Sequence, residues 1–348
     1  MKALRRALLA WFDRERRDLP WRRTKDPYAV WVSEVMLQQT QVTTVIPYFQ
    51  RFMARFADVE ALAAAPLDEV LSLWRGLGYY SRARALHRAA QEVVSHHGGQ
   101  LPPTAAELRR LPGFGPYTAG AVASIAFGEE APLVDGNVAR VLSRLFVVKG
   151  APGDKAREAR LWELAGQLVR GPRPGDFNQA LMELGALVCR VESPSCLLCP
   201  LRAHCAALAA GRVEELPPKR IRPPRKPLAL AVAVWRKNGA FLFGRRESKG
   251  LFGGLWELPS TELRAGTEPS TALRAALGGR LRVGDELGTV KRTLTHRDLT
   301  LRLFEVAGAR VPSRSEAYRD FRWATPAQAR ELGMSAAMQC ALEAAARR

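Results

Sequence analysis

Long apolar runs are missing from this 348-residue sequence. Nothing in it approaches the roughly 18–20 consecutive apolar residues that cross a bilayer, which excludes a chain built on transmembrane helices. The start, MKALRRALLAWFDRERRDLPW, joins basic residues to a short apolar patch, yet Asp13, Arg14, Glu15, Arg16 and Arg17 interrupt it. No small-residue cleavage site follows, so it reads as the amphipathic first helix of a cytoplasmic protein with no membrane partner. Acid is scarce as well: 34 Asp and Glu stand against 53 Lys and Arg, a formal net charge of +19. Such an excess favours polyanions through counterion release, nucleic acid first and an anionic membrane surface second. Arginine far outnumbers lysine, so an arginine-biased proteome is the plainer source of part of it. Cysteine is nearly confined to one place. Four of the five lie between 189 and 205, and Cys340 stands apart with no role beyond packing. In a reducing compartment such clustering points to metal rather than disulfides.

What is present is ordinary globular material, 47% hydrophobic and 25% charged, in a chain long enough for two domains. Helical periodicity recurs at 2–17, 27–41, 45–56, 66–75, 81–96, 104–111, 117–127, 137–147, 157–170 and 176–189. Asp26-Pro27 offers a cap followed by proline at the first helical position. The helical body is expected over 1–212, followed by a proline-rich basic linker over 213–227 that contains PPKRIRPPRKP. From 228 to 348 the character changes. Residues 228–235, 240–246, 287–295 and 299–308 read as strands, accompanied by helical patterns at 268–277 and 326–346, which makes a smaller α+β domain.

Several stretches carry chemistry. Cys189-x6-Cys196-x2-Cys199-x5-Cys205 supplies four thiolates within 17 residues. They suit tetrahedral zinc or an iron–sulfur cluster; the single compact run favours the latter, but spacing does not decide. LRRLPGFGPYTAGAVASIAF (108–127) reads as helix, turn, helix. Gly113 and Gly115 are expected to adopt angles closed to other residues, and Pro116 then opens a helix whose N-terminus favours a phosphate. A Gly-x-Gly turn is more often only a tight turn. Glu34 lies in the apolar YAVWVSEVMLQQTQV, where the plain reading is a solvated stripe shared with Gln38 and Gln41. Asp135, in APLVDGNVARVL, reads most simply as a helix cap. Two carboxylates on one cleft, one protonated and one ionised, would instead suit cleavage of a glycosidic bond. In WRGLGYYSRARAL, Tyr79 and Tyr80 among arginines suit base stacking as readily as a buried core.

Together, WVSEVMLQQTQV, GLGYYSRAR, LPGFGPYTAG, VDGNVARVL and the cysteine run resemble the helix-hairpin-helix DNA glycosylases of the endonuclease III superfamily, and within it the adenine DNA glycosylases of the MutY type. They occur in family order across most of residues 20–205. LFGGLWELP (251–259) resembles the Nudix-like domain joined to such enzymes; TALRAALGG (271–279) lacks the glutamates of a working Nudix metal box, so recognition rather than pyrophosphate hydrolysis is expected.

The resemblance implies a multi-domain fold: an all-α helix-hairpin-helix glycosylase domain holding a 4Fe–4S cluster at Cys189, Cys196, Cys199 and Cys205, and a C-terminal α+β Nudix-like domain. It implies a monomeric base-excision repair enzyme that flips adenine out of double-stranded DNA containing A:8-oxoguanine or A:G mispairs and hydrolyses its glycosidic bond. Glu34 would be the general acid, in an apolar setting supplied by Trp31, Val35 and Leu37. Asp135 would stay ionised beside the oxocarbenium-like sugar, with Asn137 and Tyr117 orienting both. Gln39 and Tyr79 would fill the space left by the flipped base, and Gly113 and Gly115 would hold a phosphate. Leu294-Thr295-His296 would read the oxidised guanine, where the family more usually has Phe-Ser-His. Tyr117 stands where related lyases place a nucleophilic lysine; tyrosine forms no imine, so strand scission is not expected. The rival readings are a pyrimidine-damage glycosylase/lyase of the same fold and a non-catalytic iron–sulfur DNA-binding protein.

Overall fold

The computed structural model describes residues 1–218, 223–248, 250–277, 281–308 and 315–347. Part of the expected linker, 219–222, lies outside the described residues, as do 278 and 279 at the end of TALRAALGG. In chain order the helices are α1 (Lys2–Glu15), α2 (Pro27–Leu37), α3 (Val42–Arg55), α4 (Val59–Ala64), α5 (Leu67–Leu73), α6 (Ser81–His97), α7 (Ala105–Leu108), α8 (Pro116–Phe127), α9 (Gly136–Phe146), α10 (Lys155–Val169), α11 (Pro174–Leu187), α12 (Ala206–Ala209), α13 (Pro269–Leu277) and α14 (Ala336–Ala346). The strands are β1 (Lys226–Lys237), β2 (Ala240–Arg246), β3 (Trp256–Glu257), β4 (Ser260–Glu262), β5 (Arg282–Thr293), β6 (Arg297–Ala307) and β7 (Tyr318–Ala324). Among the described residues no helix is long and apolar enough to cross a membrane.

Local chemistry sets the boundaries. The Asp26 carboxylate accepts from the Tyr28 and Ala29 amides, and Pro27 occupies the first turn of α2, whose N–H would have no partner anyway. This helix stops at Leu37, short of residue 41, because Gln39 turns left-handed at φ +58°. The single helix expected over 326–346 is two pieces. A 3-10 turn spans Gln328–Glu331, and α14 starts afresh after Ser335, whose hydroxyl accepts from the Met338 amide.

The chain packs as two units. The first comprises Met1–Ala64 and Ala85–Arg222; the second comprises Ala65–Arg84 and Pro223–Arg348. In the helical unit, α1 and α8–α11 bury an apolar core that includes Leu8, Phe12, Leu142, Leu161, Phe177 and Leu181. Across it Glu183, buried on α11, accepts from the guanidinium groups of Arg17 and Arg22 at 2.6–3.0 Å.

In the second unit the strands run in the order β3-β2-β1-β6-β5, with β4 against β1 and β7 against β2. β1 and β6 are parallel from Lys226 beside Arg297 to Trp235 beside Val306. Alternation along β1 feeds two cores. Leu228, Leu230, Val232 and Val234 pack with Ala337, Met338 and Ala341 of α14, while Ala231, Ala233 and Trp235 join Leu273 and Leu277 of α13. A strand covered on both faces carries a nearly continuous apolar sequence, which is what LALAVAVW is. The segment 65–84, with α5 and the first turn of α6, is also part of this unit.

Candidate active site and DNA-contacting loops

Helix α2 is apolar on every side, buried from Tyr28 through Met36, and Glu34 is enclosed with the rest at 4% exposure. The solvated stripe therefore does not form: Gln38 turns inward to donate to Thr118 Oγ1 at 3.0 Å, and Gln41 is exposed beyond the helix end. Trp31 and Val35 are buried beside Glu34, while Leu37 is only half-buried. Burial raises the Glu34 carboxyl from 4.5 to about 7; a hydrogen bond from Tyr117 opposes the rise and the nearby Asp135 charge adds to it.

Tyr117 sits in the first turn of α8 and donates its hydroxyl to Glu34 Oε2 at 2.5 Å. Burial, then the neighbouring Glu34 charge, hold the phenol well above its ordinary pKa, so it remains a protonated donor. Met182 Sδ lies 3.5 Å from the same oxygen.

Asp135 caps α9. Its Oδ1 accepts from the Val138 amide at 2.7 Å and its Oδ2 from Asn137 Nδ2 at 3.0 Å. Burial pushes this carboxyl up, while the Val138 amide, Asn137 and the Arg140 charge favour its ionised form. Arg140 completes the arrangement: Nη2 donates to Asn137 Oδ1 and to the Gly185 carbonyl, both at 2.8 Å, and Nε donates to the Cys189 carbonyl at 2.7 Å. Sequence reasoning missed Arg140. Its only signal is the i, i+3 spacing from Asn137 in GNVARVL, which a solvated arginine shows equally well.

The two hairpin glycines differ. Gly113 is left-handed at φ +80°, and a Cβ there would stand 2.6 Å from the Ala85 Cβ. Gly115, expected to need the same freedom, has φ −77° and ψ 173°, an extended backbone that any residue adopts. It is the cap residue of α8 and brings no side-chain cap bond to the first-turn amides.

Tyr79 and Gln39 share an uncommon feature for residues with a Cβ, φ of +47° and +58°. Arg82 braces the Tyr79 turn, donating to the carbonyls of Leu77 at 3.0 Å and Gly78 at 3.2 Å, with its guanidinium over the rings of Trp74 and Tyr79. Burial lowers the Arg82 pKa to about 10. Tyr79 is 38% exposed and its hydroxyl donates to Thr295 Oγ1 at 2.9 Å, so two sequence-selected residues meet. Leu294, Thr295 and His296 form the turn between β5 and β6; Thr295 and His296 are exposed, whereas Leu294 leans against the core under α14.

Cys189, Cys196, Cys199 and Cys205 are unpaired and partly buried, and three of them pack against the helical core. Cys196 and Cys199 lie near enough to feel the charges of Cys189 and Cys205, and Cys199 that of Cys196 as well. Among the described residues, no three Cys, His, Asp or Glu side chains close around one ion position. An all-cysteine donor set is one that an iron–sulfur cluster takes. Arg144 fixes the loop, donating to the carbonyls of Arg190 at 2.6 Å and Leu216 at 2.7 Å and to Cys189 Sγ at 3.4 Å.

Residues 32–167 match the HhH-GPD superfamily of base excision DNA repair proteins, and residues 230–344 match the NUDIX domain. Over 97% of its length the chain is 40% identical to a Homo sapiens adenine DNA glycosylase, of which it covers 73%. Its identity to a Schizosaccharomyces pombe adenine DNA glycosylase is 35%, over 75% of this chain and 70% of that one. Among solved structures, a thermostable thymine-DNA glycosylase aligns with a TM-score of 0.54 at 31% identity, over 60% of this chain and 96% of the other. A trapped endonuclease III–DNA covalent intermediate aligns with a TM-score of 0.50 at 23% identity over the same shares, a likeness of fold alone.

Proposed function

The chain belongs to the adenine DNA glycosylases, enzymes of base excision repair, and from that premise we propose that it excises adenine mispaired with 8-oxoguanine or guanine and leaves the strand intact. The observation that carries this reading is the pair of unlike carboxyls. Glu34 is buried, its carboxyl pushed up to about 7 as it receives the Tyr117 hydroxyl; burial raises Asp135 too, but there the Val138 amide and Asn137 donate to the carboxylate and favour its charge.

The steps follow from those environments. Tyr117 occupies Glu34 Oε2, which leaves Oε1 to carry the proton toward N7 of the flipped adenine. As the C1′–N9 bond breaks, its electron pair goes to the base, which departs neutral. Asp135 faces the sugar's developing positive charge, and Asn137 and Arg140 keep its oxygens in place. Water adds to C1′ and its proton passes to the Glu34 carboxylate, restoring the acid. Tyr117 has no amine for imine formation with C1′, so the backbone is not cut.

The helical unit carries this chemistry, with Gly113 and Gly115 at a phosphate and Gln39 in the opened duplex, where Tyr79 of the second unit joins it. Thr295 and His296 face the partner base, and the second unit's contribution is recognition. Cys189, Cys196, Cys199 and Cys205 would hold a 4Fe–4S cluster, whose bonds would fasten the loop that Arg140 and Arg144 already brace; stoichiometric iron and sulfide in purified protein test it. The activity is tested by single-turnover release of free adenine from a duplex with adenine opposite 8-oxoguanine. Strand breaks that appear without alkali or heat overturn the monofunctional reading.

A further inference from the structure

Residues 65–84 are built into the sheet-bearing unit, and Arg75 is their principal tie. Its Nη1 donates to Gln339 Oε1 on α14 at 2.6 Å. Its Nη2 donates to the carbonyls of Arg330 at 2.6 Å and Leu332 at 2.9 Å, at the end of the 3-10 turn that precedes α14. Further ties follow: the Tyr80 hydroxyl donates to the Met334 carbonyl at 3.2 Å, and Arg84 Nη1 to the Gly253 carbonyl at 2.5 Å. Behind them Trp256 Nε1 donates to Asp68 Oδ2 at 3.2 Å.

These ties bracket Tyr79 on both sides, and Tyr79 holds a left-handed backbone that its Cβ disfavours. Such a residue persists only where its surroundings over-determine it. Arg82 braces the turn from within, donating to the carbonyls of Leu77 and Gly78. Arg75 ties it to residues 330–339. A guanidinium reaches a side-chain acceptor with one nitrogen and two carbonyls with another, a division that a single ammonium cannot reproduce.

We propose that Arg75 is a positioning residue for excision, acting through Tyr79. By fastening the turn at 76–80 to residues 330–339, it keeps Tyr79 in the conformation in which it enters the duplex. The sheet-bearing unit thereby supports the opening of the mispair as well as the reading of the partner base. The inference rests on the reading of Tyr79 as a DNA contact.

A double-mutant cycle on the full-length protein tests it, using single-turnover adenine release and the dissociation constant for a duplex with adenine opposite 8-oxoguanine. Arg75→Ala is expected to weaken binding and slow release by about tenfold, and Arg75→Lys to recover only part of that. In a Tyr79→Leu background, Arg75→Ala is expected to change nothing more, a result that a purely structural role would not give. Additive losses in the double variant, or an unaffected Arg75→Ala, overturn the proposal. A fully active Tyr79→Leu overturns the reading of Tyr79 itself, and the proposal with it. Should Arg75→Ala fold poorly, Gln339→Leu removes only the Nη1 acceptor and is expected to give about a threefold loss with the same non-additivity.

Discussion

Replacing Glu34 with glutamine should move stability and activity in opposite directions. Glu34 is 4% exposed, and its carboxyl rises from 4.5 in an open chain to about 7 in the fold. That rise corresponds to about 3 kcal/mol at roughly 1.4 kcal/mol per tenfold change in proton affinity. The folded-state pKa is the higher one, so the native protein keeps a proton that the unfolded chain has released. The stabilisation is therefore fully present below about pH 4.5 and is lost as pH climbs through about 7. Glutamine carries no titrating proton. Glu34→Gln should match the parent near pH 4.5 and exceed it by about 3 kcal/mol near pH 8.5, roughly 6–12 °C in the melting of a unit this size. Adenine release should fall by about 10²–10⁴-fold over the same range. Circular dichroism melts at several pH values, paired with single-turnover assays, measure both. A stability difference flat with pH would refute the protonated acid, and full activity in the variant would refute the role.

Three further outcomes follow. Asn137→Ala removes the donor to Asp135 Oδ2 and the acceptor of Arg140, and should slow release by about 10²-fold in single turnover with little change in duplex affinity. Glu183→Gln should destabilise by about 3–5 kcal/mol in denaturant titrations, because Arg17 and Arg22 lose their buried partner. Burial alone would raise the Glu183 carboxyl, but its hydrogen bonds from the two arginines hold it at about 2; its contribution is whole above about pH 4.5 and lost as pH falls through 2. Gly113→Ala places a Cβ against Ala85 at φ +80°, and should cost about 1–3 kcal/mol while weakening every duplex alike, since phosphate contacts carry no sequence.

The legibility of these features in the sequence varies with how local their causes are. The two-faced burial of β1 could be read from LALAVAVW, and the start of α2 from Asp26-Pro27, because neighbouring residues decide both. The enclosure of Glu34 could not. Gln38 and Gln41 follow it at helical spacing and imitate a wet face; what decides is the end of α2 at Leu37 and the approach of Thr118 from α8. Gly113 and Gly115 are alike in sequence, and only the backbone angles separate them. Arg140 escaped notice because its partners, Gly185 and Cys189, lie on a distant stretch of chain.

The placement of residues 65–84 also bears on how the protein is made. Arg75 and its acceptor Gln339 are 264 residues apart. At about 5–20 residues per second, on the order of ten to fifty seconds separate their emergence from a ribosome. Until then α5 lacks the 3-10 turn at Gln328–Glu331 that it packs beside, and Leu71 lacks Gly333, which it meets closely in the finished protein. The early helices can collapse around their own core, but this twenty-residue span must wait for the last strands and for α14. Translation that stops short of α14 thus leaves an earlier part of the chain unfinished, and those fragments are natural clients for chaperones and proteases.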